Sequence, residues 1–566
     1  MLKRGWLALS LGVFLIGAMP AAAMAAEALV NTGSPPSPFP QNKQNEPTVA
    51  IDPTNPSVLA AGSNDEIDEG PCVGSDCPFV QGVGNSGIYF SFNGGASWIQ
   101  PTYQGWSDRT GTPGVGPIGT LPNYFEAGLV SDGDPVTVFG PRPDSNGDFS
   151  WENGSRLYYS NLTSNFATER KDQTFKGFEA IAVSHADDLE AAVAGDETAW
   201  SDPAIVTARR QSATTFSDKS TMWADNAASS AHFGTAYVCY TQFKSQQDTG
   251  PEKIAVSHST DGGDTWSRPT TLSSAFDNPQ HTGRQGCSIR TDSKGVVYAV
   301  WEDSHQKQSV FKLARSFNGG VSFETPRTIA NVTDVGIFDG VRSISFDGIA
   351  GARTSSFPSL EVANGAPTGA GASDKLALGW SDGADGLNHE HALVQFSSSG
   401  GQNWTTPVQV EESGDRPDFA FIGLSPNGQD LYVVYDGFLD PFRTDTTSTR
   451  RFVGVTRHAD VSGTTLSNIA TVDRAPAIDP GDARASSANA LIDEFIGDYN
   501  TVAATNAGAV SVFNDARDAD VCPVIDVSRQ ATVDGTAGDP PAPLTDCGAT
   551  FGNTDIWSAA VTDPSP

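Results

Sequence analysis

Arg284, Arg353 and Arg416 stand 69 and 63 residues apart, each close to the head of an apolar segment. Planar guanidinium groups brought together from separate segments could clamp a carboxylate through paired N–H donors. Matching points elsewhere in the chain hold Glu46, Asp132 with Asp134, Lys219, and Asp498 with Tyr499, so one end of the fold would gather acids, bases and a phenol. The run Asn388-His389-Glu390-His391 lacks the helical His-Glu-x-x-His spacing. On a strand its two imidazoles would share a face, which permits a metal and equally suits a turn edge. The acidic runs SNDEIDEG (63–70) and DARDAD (515–520) could hold a structural Ca2+ through carboxylate oxygens, although no EF-hand spacing is present. Gly423-Leu424-Ser425-Pro426 is not a nucleophile elbow, and no glycine-rich loop opens a helix to cradle phosphate. No cofactor is therefore required.

Positioning such groups calls for elements that repeat. A strand, a polar turn and a second strand recur at TVAIDPTNPSVLAAGSND (48–65), CSIRTDSKGVVYAVWED (287–303), FAFIGLSPNGQDLYVVYDG (419–437) and TVAATNAGAVSVFNDAR (501–517). A second pattern follows apolar strands at SFNGGASW (91–98), STDGGDTW (259–266), SFNGGVSF (316–323) and SSSGGQNW (397–404). In it Asn93, Asp261, Asn318 and Ser399 would accept backbone N–H bonds, glycine would supply positive φ, and the last aromatic would cover the hairpin. This pattern resembles the Asp box of the sialidase (neuraminidase) superfamily, a hairpin signature also known as the BNR repeat and found in β-propeller blades. The resemblance implies an all-β propeller of four-stranded antiparallel blades. Units beginning near Glu46, Asp134, Lys219, Arg284, Arg353, Arg416 and Asp498 predict seven blades, with the second box decayed to SHADD (184–188). Six blades, the sialidase number, is the alternative.

The resemblance also implies a chemistry. Sialidases hold a sugar carboxylate with an arginine triad and use a tyrosine nucleophile activated by glutamate, with an aspartate as acid and base. On this chain Arg284, Arg353 and Arg416 would bind substrate, Tyr499 with Glu494 would form the nucleophile, and Asp134, or Asp132, would move the proton. The protein would then be an exo-glycosidase releasing terminal acidic sugars. The family's Phe/Tyr-Arg-Ile-Pro signature is absent, and Asn45-Glu46-Pro47 places a carboxylate where the first arginine would stand. A non-catalytic propeller that binds protein or polysaccharide, and a polysaccharide lyase on the same scaffold, are the alternatives. Trp106, Trp151, Trp223, Trp301 and Trp380 could stack on sugar rings, but strand tryptophans more commonly bury their area between blades.

Composition agrees with short strands. Gly 58, Pro 36 and Met 4, with 18% charged residues, favour turns over long helices, and no sustained 3.6-residue period occurs after the N-terminus. Lys3 and Arg4 ahead of the apolar run Trp6 to Met19, then Ala23, Ala25 and Ala26, read as a signal peptide over residues 1–26. Residues 27–566 form one secreted propeller with long loops in this reading, and no later stretch suits membrane insertion. Six cysteines in an exported chain predict three disulfides, Cys72–Cys77, Cys239–Cys287 and Cys522–Cys547. A formal charge of -33 repels phosphate backbones and anionic headgroups, which excludes nucleic acid and leaves an extracellular glycan or glycoprotein as the expected partner. Oligomeric state is left open.

Overall fold

Strands here are short, and many are buried on both faces: every residue of Asp430–Phe438 is buried, because blades press on either side of each sheet. The computed structural model describes residues 26–32, 43–71, 79–207, 214–243, 252–274, 284–305 and 308–565. Within them seven antiparallel sheets follow one another around an axis, the arrangement of a seven-bladed β-propeller. The six-blade alternative falls.

The innermost strands are Gln44–Ile51, Val136–Pro143, Phe216–Ala224, Arg284–Thr291, Ser359–Val362, Arg416–Leu424 and Thr501–Thr505. Each pairs antiparallel with the next strand outward, in registers such as Ile289↔Ala299 and Ile422↔Val433. The third and fourth blades have four strands each in simple order, whereas the first has three, extended by an isolated bridge between Phe90 and Ile99. In the seventh blade the outermost strand comes from the other end of the chain: Ala26–Leu29 pairs with Asp555–Thr562. Apolar clusters lie between neighbouring blades. Tyr237, Val256, Ile289 and Trp301 join the third to the fourth, and Val300, Leu313, Leu360 and Trp380 join the fourth to the fifth. Trp301 and Trp380 are thus packing residues.

The four glycine-bearing hairpins share one hydrogen-bond plan. In the first, Gly95 N donates to Ser91 Oγ at 3.0 Å and Ser97 N to Asn93 Oδ1 at 3.0 Å. Gly263 N to Ser259 Oγ and Thr265 N to Asp261 Oδ1 repeat it at 2.9 and 3.0 Å. Asn318 and Ser399 take the same acceptor position. In the second blade the corresponding turn is replaced by the short helix Leu189–Val193, capped by Asp188.

Disulfides join Cys239 to Cys287, across the third and fourth blades, and Cys522 to Cys547. Cys72, Cys77 and residues 1–25 of the expected signal peptide lie outside the described residues, and Ala26, its last residue, already opens a strand. The segment closed by Cys522–Cys547 is not only loop: it holds the helix Pro523–Val533, which starts on proline at its first turn and buries Ile525 and Arg529. Its apolar face is too narrow to give a helical period, since Asp526 and Arg529 are buried beside Ile525. Among the described residues no helix is long and apolar enough to cross a membrane.

Candidate functional site at the mouth of the axial channel

Four of the inner strands begin with the same irregularity. The pairing register slips between Asn45 and Thr48, Asp218 and Thr221, Gln285 and Ser288, and Asp418 and Phe421. At each slip one residue takes positive φ: Glu46 at 56°, Lys219 at 51°, Gly286 at 61° and Phe419 at 49°. Asp134, ahead of the second inner strand, does the same at 49°. Left-handed backbone is costly for side chains other than glycine, and bulges of this kind re-aim a side chain. Here Lys219 and Asp134 are brought to the axis, whereas Phe419 packs into a core cluster with Phe346 and Phe438. Gly286 makes room for a neighbour, since a Cβ there would meet the Phe357 ring at 2.3 Å.

A channel of about 530 Å³ runs down that axis, with Asp134, Lys219, Phe357 and Tyr499 at one mouth. Below them its wall is largely apolar, from Val49, Val138, Met222, Ile422, Leu424 and Val502. At the mouth five chain segments deliver charge to one place. Asp498 accepts from Arg353 Nε at 2.8 Å and from Arg353 Nη2, and from Lys219 Nζ at 2.5 Å. Lys219 Nζ lies 3.7 Å from Asp134 Oδ2, and Arg353 Nη2 lies 4.0 Å from Glu46 Oε1. Asn64 holds two of these segments together, donating to Glu46 Oε2 at 3.1 Å and accepting from Asp134 N at 2.8 Å.

The electrostatics divide the carboxyls. Burial opposes ionisation of Asp498, yet the charges of Arg353 and Lys219 outweigh it and hold the group well below the usual carboxylate range. Burial first, then the Glu46 charge, pushes Asp134 up to about 7 against the pull of Lys219. Asp218 also rises to about 7, chiefly through burial. Burial would lower Lys219, but Asp218, Asp498, Asp134 and Glu46 together hold it well above its ordinary value. The Tyr499 phenol is pushed well up by burial and by the nearby acids, so it stays protonated. Behind Asp134, burial raises Asp132 to about 6 and Glu179 well above the carboxylate range. One mouth therefore holds a carboxyl that keeps its proton near neutrality beside another that cannot take one.

Of the residues expected from sequence, Asp134, Arg353 and Tyr499 meet here. The others do not. Arg284 faces Asp303 of its own blade at 3.5 Å. Arg416 is buried and forks onto Glu390 at 3.0 and 2.9 Å, with its remaining donors on the carbonyls of Asp440 and Phe346. Three converging arginines are therefore replaced by one, because Arg416 is consumed by Glu390 and Arg284 stays beside Asp303, its Nε and Nη1 buried without a hydrogen-bond partner among the described residues. Glu494 is fully buried in an ion pair with Arg450, with Arg529 3.9 Å away, and takes no place beside Tyr499. The repeat register was slipped at Arg353, which precedes the fifth inner strand by six residues, that strand starting at Ser359.

Sequence reasoning missed Asp218, Phe357 and the structural part of Lys219. The recurring signal is an Asn or Asp, the aimed residue, a small residue or proline, then Thr or Ser in most copies: Asn45-Glu46-Pro47-Thr48, Asp218-Lys219-Ser220-Thr221 and Asp498-Tyr499-Asn500-Thr501. His389 is exposed, and His391 is shared between Glu411 at 2.8 Å and Asp385 at 3.0 Å, so the two imidazoles do not build one site. In the acidic runs, Asp515 forks onto Arg517 and Asp68 onto Arg109, Thr120 and Gly119 N. Burial raises Glu66 to about 7 and Glu69 to about 9, so these two hold protons. Among the described residues, the ligand atoms of Asp430, His458 and Asp460 are grouped within 4.8 Å of one another.

No protein-family model matches the chain, and no curated protein matches it. Among solved structures it is similar to the GH93 α-L-arabinofuranosidase of Fusarium graminearum in complex with arabinobiose, at 14% identity and a TM-score of 0.32, over 58% of this chain and 90% of that one. It is also similar to the NanB sialidase from Streptococcus pneumoniae, at 10% identity and a TM-score of 0.38, over 71% and 66% of the two chains. A leech intramolecular trans-sialidase gives 11% identity and a TM-score of 0.37, over 72% and 67%. Likenesses at these scores carry no argument about chemistry, which is read from the residues of the axial mouth.

Proposed function

We propose that this chain is a secreted propeller that acts on extracellular glycans at the axial mouth, hydrolysing a terminal glycosidic bond. The observation that carries the reading is the meeting of Asp134, its proton retained to about pH 7, with Glu46 and Asp498 from other blades. Glycoside hydrolysis needs a protonated carboxyl to give the leaving oxygen its proton and an anionic carboxylate to support the positive charge that grows on the sugar ring. Asp134 takes the first part. Glu46 takes the second, with Asn64 fixing its second oxygen. Asp498 holds Lys219 and Arg353 in place, and Tyr499 offers a phenol O–H to a sugar oxygen. The disulfides and the expected signal peptide support an oxidising, extracellular setting. The glycine-bearing hairpins match the Asp-box plan and support the superfamily reading without bearing on chemistry.

The test is a glycan hydrolysis panel on purified protein, comparing Asp134→Asn, Tyr499→Phe and Arg353→Ala with wild type. Loss of a proton donor lowers turnover by about 10²–10⁴-fold. Unchanged turnover in all three variants sinks the site. Glycan binding without any turnover would instead favour the non-catalytic propeller.

A further inference from the structure

We infer that the sugar residue received at the axial mouth carries no acidic group, an inference that rests on the mouth being the glycan site. The two cations that meet at the mouth are matched within the protein. Arg353 forks onto Asp498, and Lys219 shares the same carboxylate. Arg342 pairs with Asp493 at 3.0 Å, Arg290 with Glu361 at 2.6 Å and Arg416 with Glu390 at 2.9 Å. At the mouth itself the acids Glu46, Asp134, Asp218 and Asp498 outnumber Lys219 and Arg353. An anionic sugar would have to displace Asp498 from its fork, leaving a buried carboxylate without a partner.

Hydroxyl groups meet a different reception. Asp134 lines the channel with 13% of its side chain exposed, and its carboxyl, with Lys219 Nζ 3.7 Å away, offers a sugar hydroxyl a hydrogen-bonding partner without demanding a charge. Neutral sugars bring donors in number and no charge to repel. The channel beneath is apolar along Val138, Met222 and Ile422, and Arg290, which also lines it, is already held by Glu361.

Calorimetric binding to the full chain tests this, with lactose, arabinobiose, cellobiose and mannobiose as neutral probes and sialyllactose and a glucuronate-capped disaccharide as acidic ones. At least one neutral probe should bind tenfold or more tighter than either acidic one. Asp498→Asn, which frees Arg353 and Lys219, should shift that ratio toward the acidic probes by tenfold or more. Arg353→Met, which removes a cation and leaves Asp498 to Lys219 alone, should leave the acidic probes as weak as before.

An acidic probe bound as tightly as the neutral ones by wild type overturns the inference, as does an acidic affinity that Arg353→Met abolishes. Binding of neither class overturns it as well. The two readings fail differently: acidic preference with turnover that depends on Asp134 defeats only the inference. Neutral preference with turnover indifferent to Asp134 defeats only the catalytic assignment.

Discussion

Asp225 is fully buried at the end of the third inner strand, where it accepts from Ser230 Oγ at 2.5 Å and has no cation against it. Burial raises its carboxyl to about 7, and burial does the same to Asp134, Asp218 and Asp555. In the unfolded chain each would titrate near 3.9. Between about pH 4 and 7 the folded protein therefore holds protons that the unfolded chain has released. Stability is fully present below the lower value, falls as pH climbs through the window, and levels above it. One such group costs about 1.4 kcal/mol per pH unit inside the window, and two acting independently cost about 3 kcal/mol. Asp498, held low, acts in the opposite sense only below about pH 4, so it does not cancel the effect. Urea midpoints measured at pH 5, 6, 7 and 8 at constant ionic strength should be highest near pH 5 and decline to pH 7 or beyond. Asp225→Asn keeps the shape and an acceptor for Ser230 while removing one titration. It should exceed wild type by about 1.4 kcal/mol at pH 5, one pH unit into the window, and by more at pH 8. A midpoint that rises from pH 5 to 8, or an Asn variant no stronger than wild type at pH 8, would refute this account.

Replacing Cys239 and Cys287 together by alanine opens a loop of 48-residue separation and should cost about 4 kcal/mol in the chain-entropy picture, read as a lower urea midpoint with a steeper slope, since the uncrosslinked chain exposes more surface on unfolding. Gly497 has φ 90°, and a Cβ there would stand 2.8 Å from Glu46 Cγ, so Gly497→Ala should cost about 1–3 kcal/mol and also lower turnover by displacing Glu46. Equal turnover in a folded alanine variant would show that Glu46 need not sit where it does.

The fold was largely legible because blades repeat their punctuation. The Ser-x-Asn/Asp-x-Gly turns mark hairpins whose geometry needs those residues, and four of the seven unit starts read from sequence, Glu46, Asp134, Arg284 and Arg416, fall within two residues of the first residue of an inner strand. The site was half legible. Asp134, Arg353 and Tyr499 were found because they sit at or near strand heads, but sequence does not show which acid neutralises which arginine. Arg416 lost its freedom to Glu390 and Arg284 to Asp303, both acids that only the folded register brings near. Glu494, five residues from Tyr499, was too close in sequence to be judged by spacing. Its partner Arg450 stands one residue ahead of the strand Arg451–Ser462, in another blade. The bulges that aim Glu46 and Lys219 are a property of backbone pairing, and periodicity cannot register a single slipped residue.

Among the described residues Ala26–Leu29 finds its strand partner in Asp555–Thr562, and Asn31 fastens the same seam by donating to Asp555 Oδ1 at 2.7 Å and accepting from Ile556 N, across a separation of 524 residues. The circle of blades is thus sealed by segments made at opposite times during synthesis. The early strand must wait, unpaired, until nearly everything else has been assembled. A chain interrupted before Asp555 has no clasp: both its first and its last sheets would present bare edges, inviting association with other copies in place of closure.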